Sequence, residues 1–91
     1  MNRSETLKTA DNLVNGDRAT EYGHPSKNFA AIAKMWSVIL KQEISLAQVA
    51  MCLIALKMSR LINNETHPDS WVDICGYSAC GSEITSENKN G

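Results

Sequence analysis

Nine residues carry side chains suited to holding a charged small molecule, and they fall in three places along the chain. The first place is Asp17-Arg18 followed by Tyr22 and His24. A Gly16-Asp17-Arg18 turn, with the amides that open the next helix, can cradle an anion, since helix N-terminal N–H groups favour negative charge. Pro25 removes one donor, whereas Ser26, Lys27 and Asn28 keep theirs. Tyr22 offers a face for stacking a base, and His24 a donor for a phosphate. The plainer use is a stiff turn in which Tyr22 and His24 satisfy helix ends, and the residues alone leave both open.

The second place is Lys57 and Arg60, three apart inside an otherwise apolar stretch. Sharing a helix face, they could clamp a phosphate or carboxylate, with Arg60 supplying bidentate geometry. Apolar surroundings equally call for an ion pair with Asp69 or Asp73, or a path for each head to solvent. The third place is Asp69, Asp73 and Tyr77, each one turn from the next. Carboxylates at this spacing share a face and can hold Mg²⁺, leaving its waters for substrate phosphates to replace. Otherwise Asp69 or Ser70 caps the helix and Asp73 favours its positive end. His67-Pro68 repeats the helix-start arrangement of His24-Pro25 and reads as structural. Neither His has a neighbouring Cys or paired Glu, which argues against zinc. No Ser-His-Asp set or nucleophile elbow is present, which argues against covalent hydrolysis.

Four helices must position these groups. The first spans about 5–15, with Ser4 as cap, Leu7, Ala10, Leu13 and Val14 on one face, and Asn15-Gly16 as its stop. The second starts at Pro25, carries Phe29, Ile32, Ala33, Trp36, Ile39 and Leu40 at helical spacing, and ends near 41–43. The third opens with a Ser45/Gln48 capping box and an Ile44/Val49 staple. It is apolar almost all round from Leu46 to Ile62, which predicts a central, buried element. The fourth follows His67-Pro68 and runs to about Ile84, with Gly76 and Cys80 giving one side a small-residue surface. The expected fold is therefore all-α: a single helical domain over 1–84, built as a small four-helix bundle, with a disordered polar tail over 85–91.

Composition narrows the function classes. A 91-residue chain buries only roughly 60–65% of its unfolded surface, so the rich apolar content, 43%, predicts packing with another copy as a homo-oligomer. Nine basic against ten acidic residues give no basic excess for DNA or RNA. Residues 1–8 lack the apolar core of a signal peptide, and no apolar run approaches the roughly 20 residues that span a bilayer. Cys52, Cys75 and Cys80 read as reduced, buried small hydrophobes, and the expected location is cytoplasmic.

The motifs Asn15-Gly16-Asp17-Arg18, Tyr22-Gly23-His24-Pro25, Asn28-Phe29, Ile32-Ala33, Trp36-Ser37, Val49-Ala50, Lys57, Arg60-Leu61, Asp69-Ser70, Asp73 and Gly76-Tyr77 resemble a widespread family of small phage-encoded proteins of unknown function. The likeness runs from about Asn12 to Glu83. The second half also resembles MazG-like and nucleotide-modification-associated all-α proteins, in which Lys-x-x-Arg-Leu precedes an Asp-rich helix ending in Tyr. That resemblance implies a nucleotide-sized ligand, and MazG-like enzymes cleave nucleoside triphosphates with Mg²⁺ held by Glu-x-x-Glu and Glu-x-x-Asp pairs. This chain supplies Asp69 and Asp73, spaced four apart, and no Glu-x-x-Glu. The expectation is thus a phage-type protein that binds a nucleotide derivative without turnover, sequestering a host immune signal. Arg18, Lys57 and Arg60 would hold phosphates, Tyr22, Trp36 or Tyr77 a base, and Asp17, Asp69 or Asp73 hydroxyls or amines. The alternative is a Mg²⁺-dependent MazG-like pyrophosphohydrolase with Asp69 and Asp73 as metal ligands; the binding reading needs no cofactor.

Overall fold

The computed structural model describes residues 1–16 and 24–89, and all the regular structure among them is helical: α1 (Arg3–Asn15), α2 (Pro25–Leu40), α3 (Leu46–Asn63) and α4 (Pro68–Lys89). The helix starts follow capping chemistry, with two changes of residue from the sequence expectation. Asn2, not Ser4, caps α1: its Oδ1 accepts from the Glu5 N–H at 2.8 Å, and the Glu5 carboxylate accepts in return from the Asn2 N–H. That reciprocal box satisfies two otherwise orphaned donors, which a Ser4 cap without a matching Glu three residues on would not. At α4 the cap is His67, not Asp69 or Ser70; its Nδ1 accepts from the Ser70 N–H at 3.3 Å. His24 does the same for α2, accepting from the Ser26 N–H at 3.1 Å. Both His-Pro pairs are therefore used alike, with proline occupying the first helical position, where no N–H is needed. The Ser45/Gln48 box opens α3 as expected, with bonds of 3.1 and 2.8 Å.

Gly16 closes α1 with φ −98° and ψ −134°. A Cβ there would drive into the Asn12 carbonyl oxygen, so only glycine fits this exit. Lys41 ends α2 in the left-handed region (φ 56°), with its N–H donated to the Ser37 carbonyl. The Ser37 hydroxyl then accepts from the Ile44 N–H at 3.1 Å and ties the α2–α3 turn to the end of α2.

The core gathers Phe29 and Ala33 of α2, Val49 and Ala50 of α3, and Ile84 of α4, with Ile32, Trp36, Ile44, Leu46 and Leu53 packed around them. The central helix is α4, which packs along α3 most extensively, then α1, then α2; α1 rests on α4 alone. This corrects the expectation that α3 is central. Small residues decide the matter: a Cβ at Gly76 would stand 3.2 Å from Val14 of α1, and one at Gly81 would stand 3.1 Å from Ala50 of α3. The two glycines let α4 be approached closely by two neighbours. In α3 the buried residues are Val49, Ala50 and Leu61. By length and composition α3 is apolar enough to cross a membrane, although it carries Lys57 and Arg60 and packs against α2 and α4.

Two further expectations change. The fourth helix continues beyond Ile84 to Lys89. Hydroxyls of Thr85 and Ser86 donate back to the Gly81 and Ser82 carbonyls, and Glu87 meets His24 Nε2 at 3.2 Å. Cys52 is exposed, since it sits on the side of α3 turned away from α4, while Cys75 and Cys80 are half-buried.

Candidate functional site

Where α1, α2 and α4 converge, side chains too short to fill the space leave a cavity of about 290 Å³. The last turn of α1 contributes Leu13 and Val14, and the first turn of α2 contributes Pro25, Asn28 and Phe29. From α4 come Val72, Asp73, Gly76, Tyr77 and Cys80, a run of i, i+1, i+4, i+5 and i+8 that marks a single helix face. Gly76 helps shape the cavity by adding no side chain to its wall.

The polar groups on this apolar lining are few and spaced around it: the Asn28 amide, the Asp73 carboxylate, the Tyr77 hydroxyl and the Cys80 thiol. Asp73 is fixed from behind. Lys57 Nζ of α3 lies 2.9 Å from Asp73 Oδ2, the two side chains being 17% and 22% exposed. A pair this far from water needs its partner, because either charge alone would be poorly solvated. Asp73 is thereby held in place as an acceptor in the cavity lining, with its position set by α3 and α4 together. Burial pushes the Cys80 thiol above its usual range, and the Glu83 carboxylate adds to the rise. The thiolate is the nucleophile, so Cys80 should alkylate with iodoacetamide several-fold more slowly than cysteine in a short peptide at mildly alkaline pH. Equal rates, followed by peptide mass spectrometry, would show that the thiol is not desolvated.

Of the residues singled out in the sequence, the structure brings Asp73 and Tyr77 into the lining of this cavity, with Lys57 paired to Asp73 behind it. His24 stands beside the lining residue Pro25 but is spent on capping α2 and on Glu87, both groups of that pair being well exposed. Arg60 is exposed in the last turn of α3, and Asp69 is exposed in the first turn of α4. Each sits at the helix end that its charge favours, and neither lines the cavity. Asp17, Arg18 and Tyr22 lie outside the described residues, as does Glu21. Trp36 packs against the core cluster rather than the cavity.

Sequence reasoning missed Asn28, Phe29 and Cys80 as lining residues. Cys80 could have been found by extending the Asp69, Asp73, Tyr77 ladder another turn. Asn28 and Phe29 were visible only as part of a motif, because their role depends on α1 closing the opposite wall. A second polar group, also unforeseen, joins His24 with Glu83 and Glu87, all exposed, their ligating atoms within 4.8 Å of one another.

Residues 5–85 match the family described as "Domain of unknown function (DUF6378)". Two curated relatives are each called Gene 55 protein. That of Mycobacterium phage D29 is 39% identical over 85 residues, which are 93% of this chain and 56% of the relative. That of Mycobacterium phage L5 is 39% identical over 72 residues, 78% of this chain and 46% of the relative. The chain thus spans about half the length of the curated relatives it matches. No solved structure matches.

Proposed function

This chain belongs to the DUF6378 family, and we propose that its cavity binds a small nucleotide-derived molecule and holds it without turnover, as a phage protein that sequesters a host nucleotide signal. The observation that carries this reading is the Asp73 carboxylate, fixed by Lys57 at 2.9 Å in the wall of a cavity that mixes apolar and polar side chains. A fixed acceptor sharing a cavity with Tyr77 and Phe29 suits a ligand with an aromatic ring and an amine or hydroxyl, which is the chemistry of a nucleoside. The Asn28 amide adds one donor and one acceptor. A volume of about 290 Å³ sits at the lower bound of small-molecule sites, roughly 300 Å³. That suits a base and sugar better than a whole dinucleotide. Around the cavity the described residues supply a neutralised ion pair, so a phosphate calls for a further cation, and Arg18 is the one the sequence nominates. Kinship with phage proteins supports the setting.

Hydrolysis by a MazG-like route is the weaker reading for a physical reason. Asp69 and Asp73 have spacing that suits Mg²⁺, but the Lys57 ammonium already neutralises Asp73. The test is thermal unfolding of the chain against a panel of nucleotides and nucleotide second messengers, joined to mass spectrometry of what co-purifies after denaturation. A bound, intact ligand at a hundred times its Kd stabilises by about 2.7 kcal/mol. Asn28→Ala, at an exposed position, should weaken binding roughly tenfold while leaving the fold intact, one bond's worth. Conversion of the ligand in Mg²⁺ makes the protein a hydrolase instead. No shift with any nucleotide, and nothing co-purifying, defeats both small-molecule readings.

A further inference from the structure

The side of the fold away from the cavity carries the largest departure from a soluble surface. Eight of the eleven exposed large apolar residues described lie on α2 or α3, each between 51% and 85% exposed. They are ordered. On α3, Met51, Ala55, Met58 and Ile62 follow a 4-3-4 spacing, with Met51 59%, Met58 55% and Ile62 85% exposed. That is the a/d period of a helix seam. On α2, Ala31, Met35 and Val38 follow the same period, with Ile39 beside them; Met35, Val38 and Ile39 are 57%, 76% and 72% exposed. No charge interrupts the α3 stripe: helical periodicity puts Lys57 and Arg60 on the other side of the helix, and Lys57 is bonded to Asp73. The outer faces of α1 and α4 are more polar, presenting Lys8, Asp11, Asn12, Ser78, Ser82 and Glu83, with Leu7 and Trp71 as their exposed large apolar residues.

We propose that this α2–α3 face is the interface with a second copy of the same chain, closed by a two-fold axis that packs α3 antiparallel against α3 of the partner. Size supports a second copy. Side chains of these types at these exposures present on the order of 700 Å² of apolar surface, near the roughly 800 Å² per partner that stable interfaces bury and above the largest patch of a typical monomer. Shape supports the antiparallel arrangement. With the axis between Ala55 and Met58, each Ala55 faces Met58 of the partner subunit, and each Met51 faces Ile62 of the partner subunit. Small then meets large at both seam positions beside the axis, whereas a parallel seam would set Ala55 against itself and leave a void. Antiparallel helix dipoles also oppose one another favourably. Two α2–α3 hairpins joined in this way make a four-helix bundle, and α3 becomes the buried element that its all-round apolar sequence calls for. The cavity is built from α1, α2 and α4, so this interface stands or falls independently of the ligand proposal.

Light scattering coupled to size exclusion, and sedimentation equilibrium, test it on the full chain. The expected mass is twice 10.0 kDa. Ala55→Glu and Ile62→Lys, both at exposed positions, should each weaken dimerisation at least a hundredfold and yield monomer with unchanged helical circular dichroism. Lys8→Glu on α1 should leave the dimer in place. A chain that stays monomeric at about 100 μM with native helicity, or a dimer indifferent to both stripe variants, overturns the proposal. So does monomer that floats with phosphatidylglycerol vesicles and loses that binding in Ile62→Lys, for the stripe then serves a lipid surface.

Discussion

Ile84→Ala should cost about 3 kcal/mol of unfolding free energy, a large loss for a single side-chain truncation. Ile84 is 1% exposed and belongs to the cluster with Phe29, Ala33, Val49 and Ala50. Removing three buried carbons leaves a cavity between three helices that Gly81 and Ala50 already hold close, so collapse can recover little. For a domain of this length total stability is of the order of 5–10 kcal/mol, so the variant would lose a third or more of it. Urea unfolding followed by far-UV circular dichroism measures the change. Thr85→Ala, one residue on and exposed, should stay within about 0.5 kcal/mol. If both substitutions prove equally mild, the C-terminal part of α4 is not docked and the helix ends functionally before residue 84.

The second large effect belongs to the ion pair. Lys57→Met keeps length and apolar bulk but strands the Asp73 carboxylate at 22% exposure beside an apolar cavity. A loss of about 2 kcal/mol follows, below the 3–5 kcal/mol of fully buried pairs because some water reaches both groups. The double substitution Lys57→Met with Asp73→Leu should recover most of that loss, since a pair replaced by apolar groups no longer leaves a stranded charge. A double-mutant cycle reads the coupling directly. Should the two single changes simply add, the 2.9 Å contact is incidental and Asp73 is not positioned by Lys57. Ligand binding adds a second readout: the double variant should fold well and still fail to bind, because the acceptor is gone.

How far the sequence could be read depends on whether a feature is local. The Ser45/Gln48 box, the start of α2 at Pro25 and the stop at Gly16 are all decided within four residues, and all three are found as expected. Two caps were misplaced because several competent residues stand side by side. Asn2 prevails over Ser4 because Glu5 is three residues from it, and His67 prevails through an imidazole nitrogen that usual cap preferences rank low. The site was half legible. Lys57 and Asp73 were recognised as partners for one another or for a ligand, and the geometry makes them partners of each other. Spacing of three puts Arg60 on one face with Lys57, yet the helix ends soon after and leaves Arg60 in water. The centre of the bundle was the hardest to foresee. Apolar content pointed to α3, but which helix is enclosed depends on how near its neighbours can come, and the glycines of α4 settle that.

The isolation of α1 bears on how anything enters or leaves. Among the described residues it leans on one neighbouring helix, α4, yet its Leu13 and Val14 form a wall of the cavity. Amide hydrogens in α1 should therefore exchange through a local opening that costs a fraction of global unfolding, while those in the α3–α4 pair wait for the whole domain to come apart. The same detachment widens the space beneath, which exposed Asn28 already borders. An occupant that touches Val14 and Tyr77 together would pin the helix down. Protection of α1 amides would then report occupancy, even where the rest of the spectrum does not change.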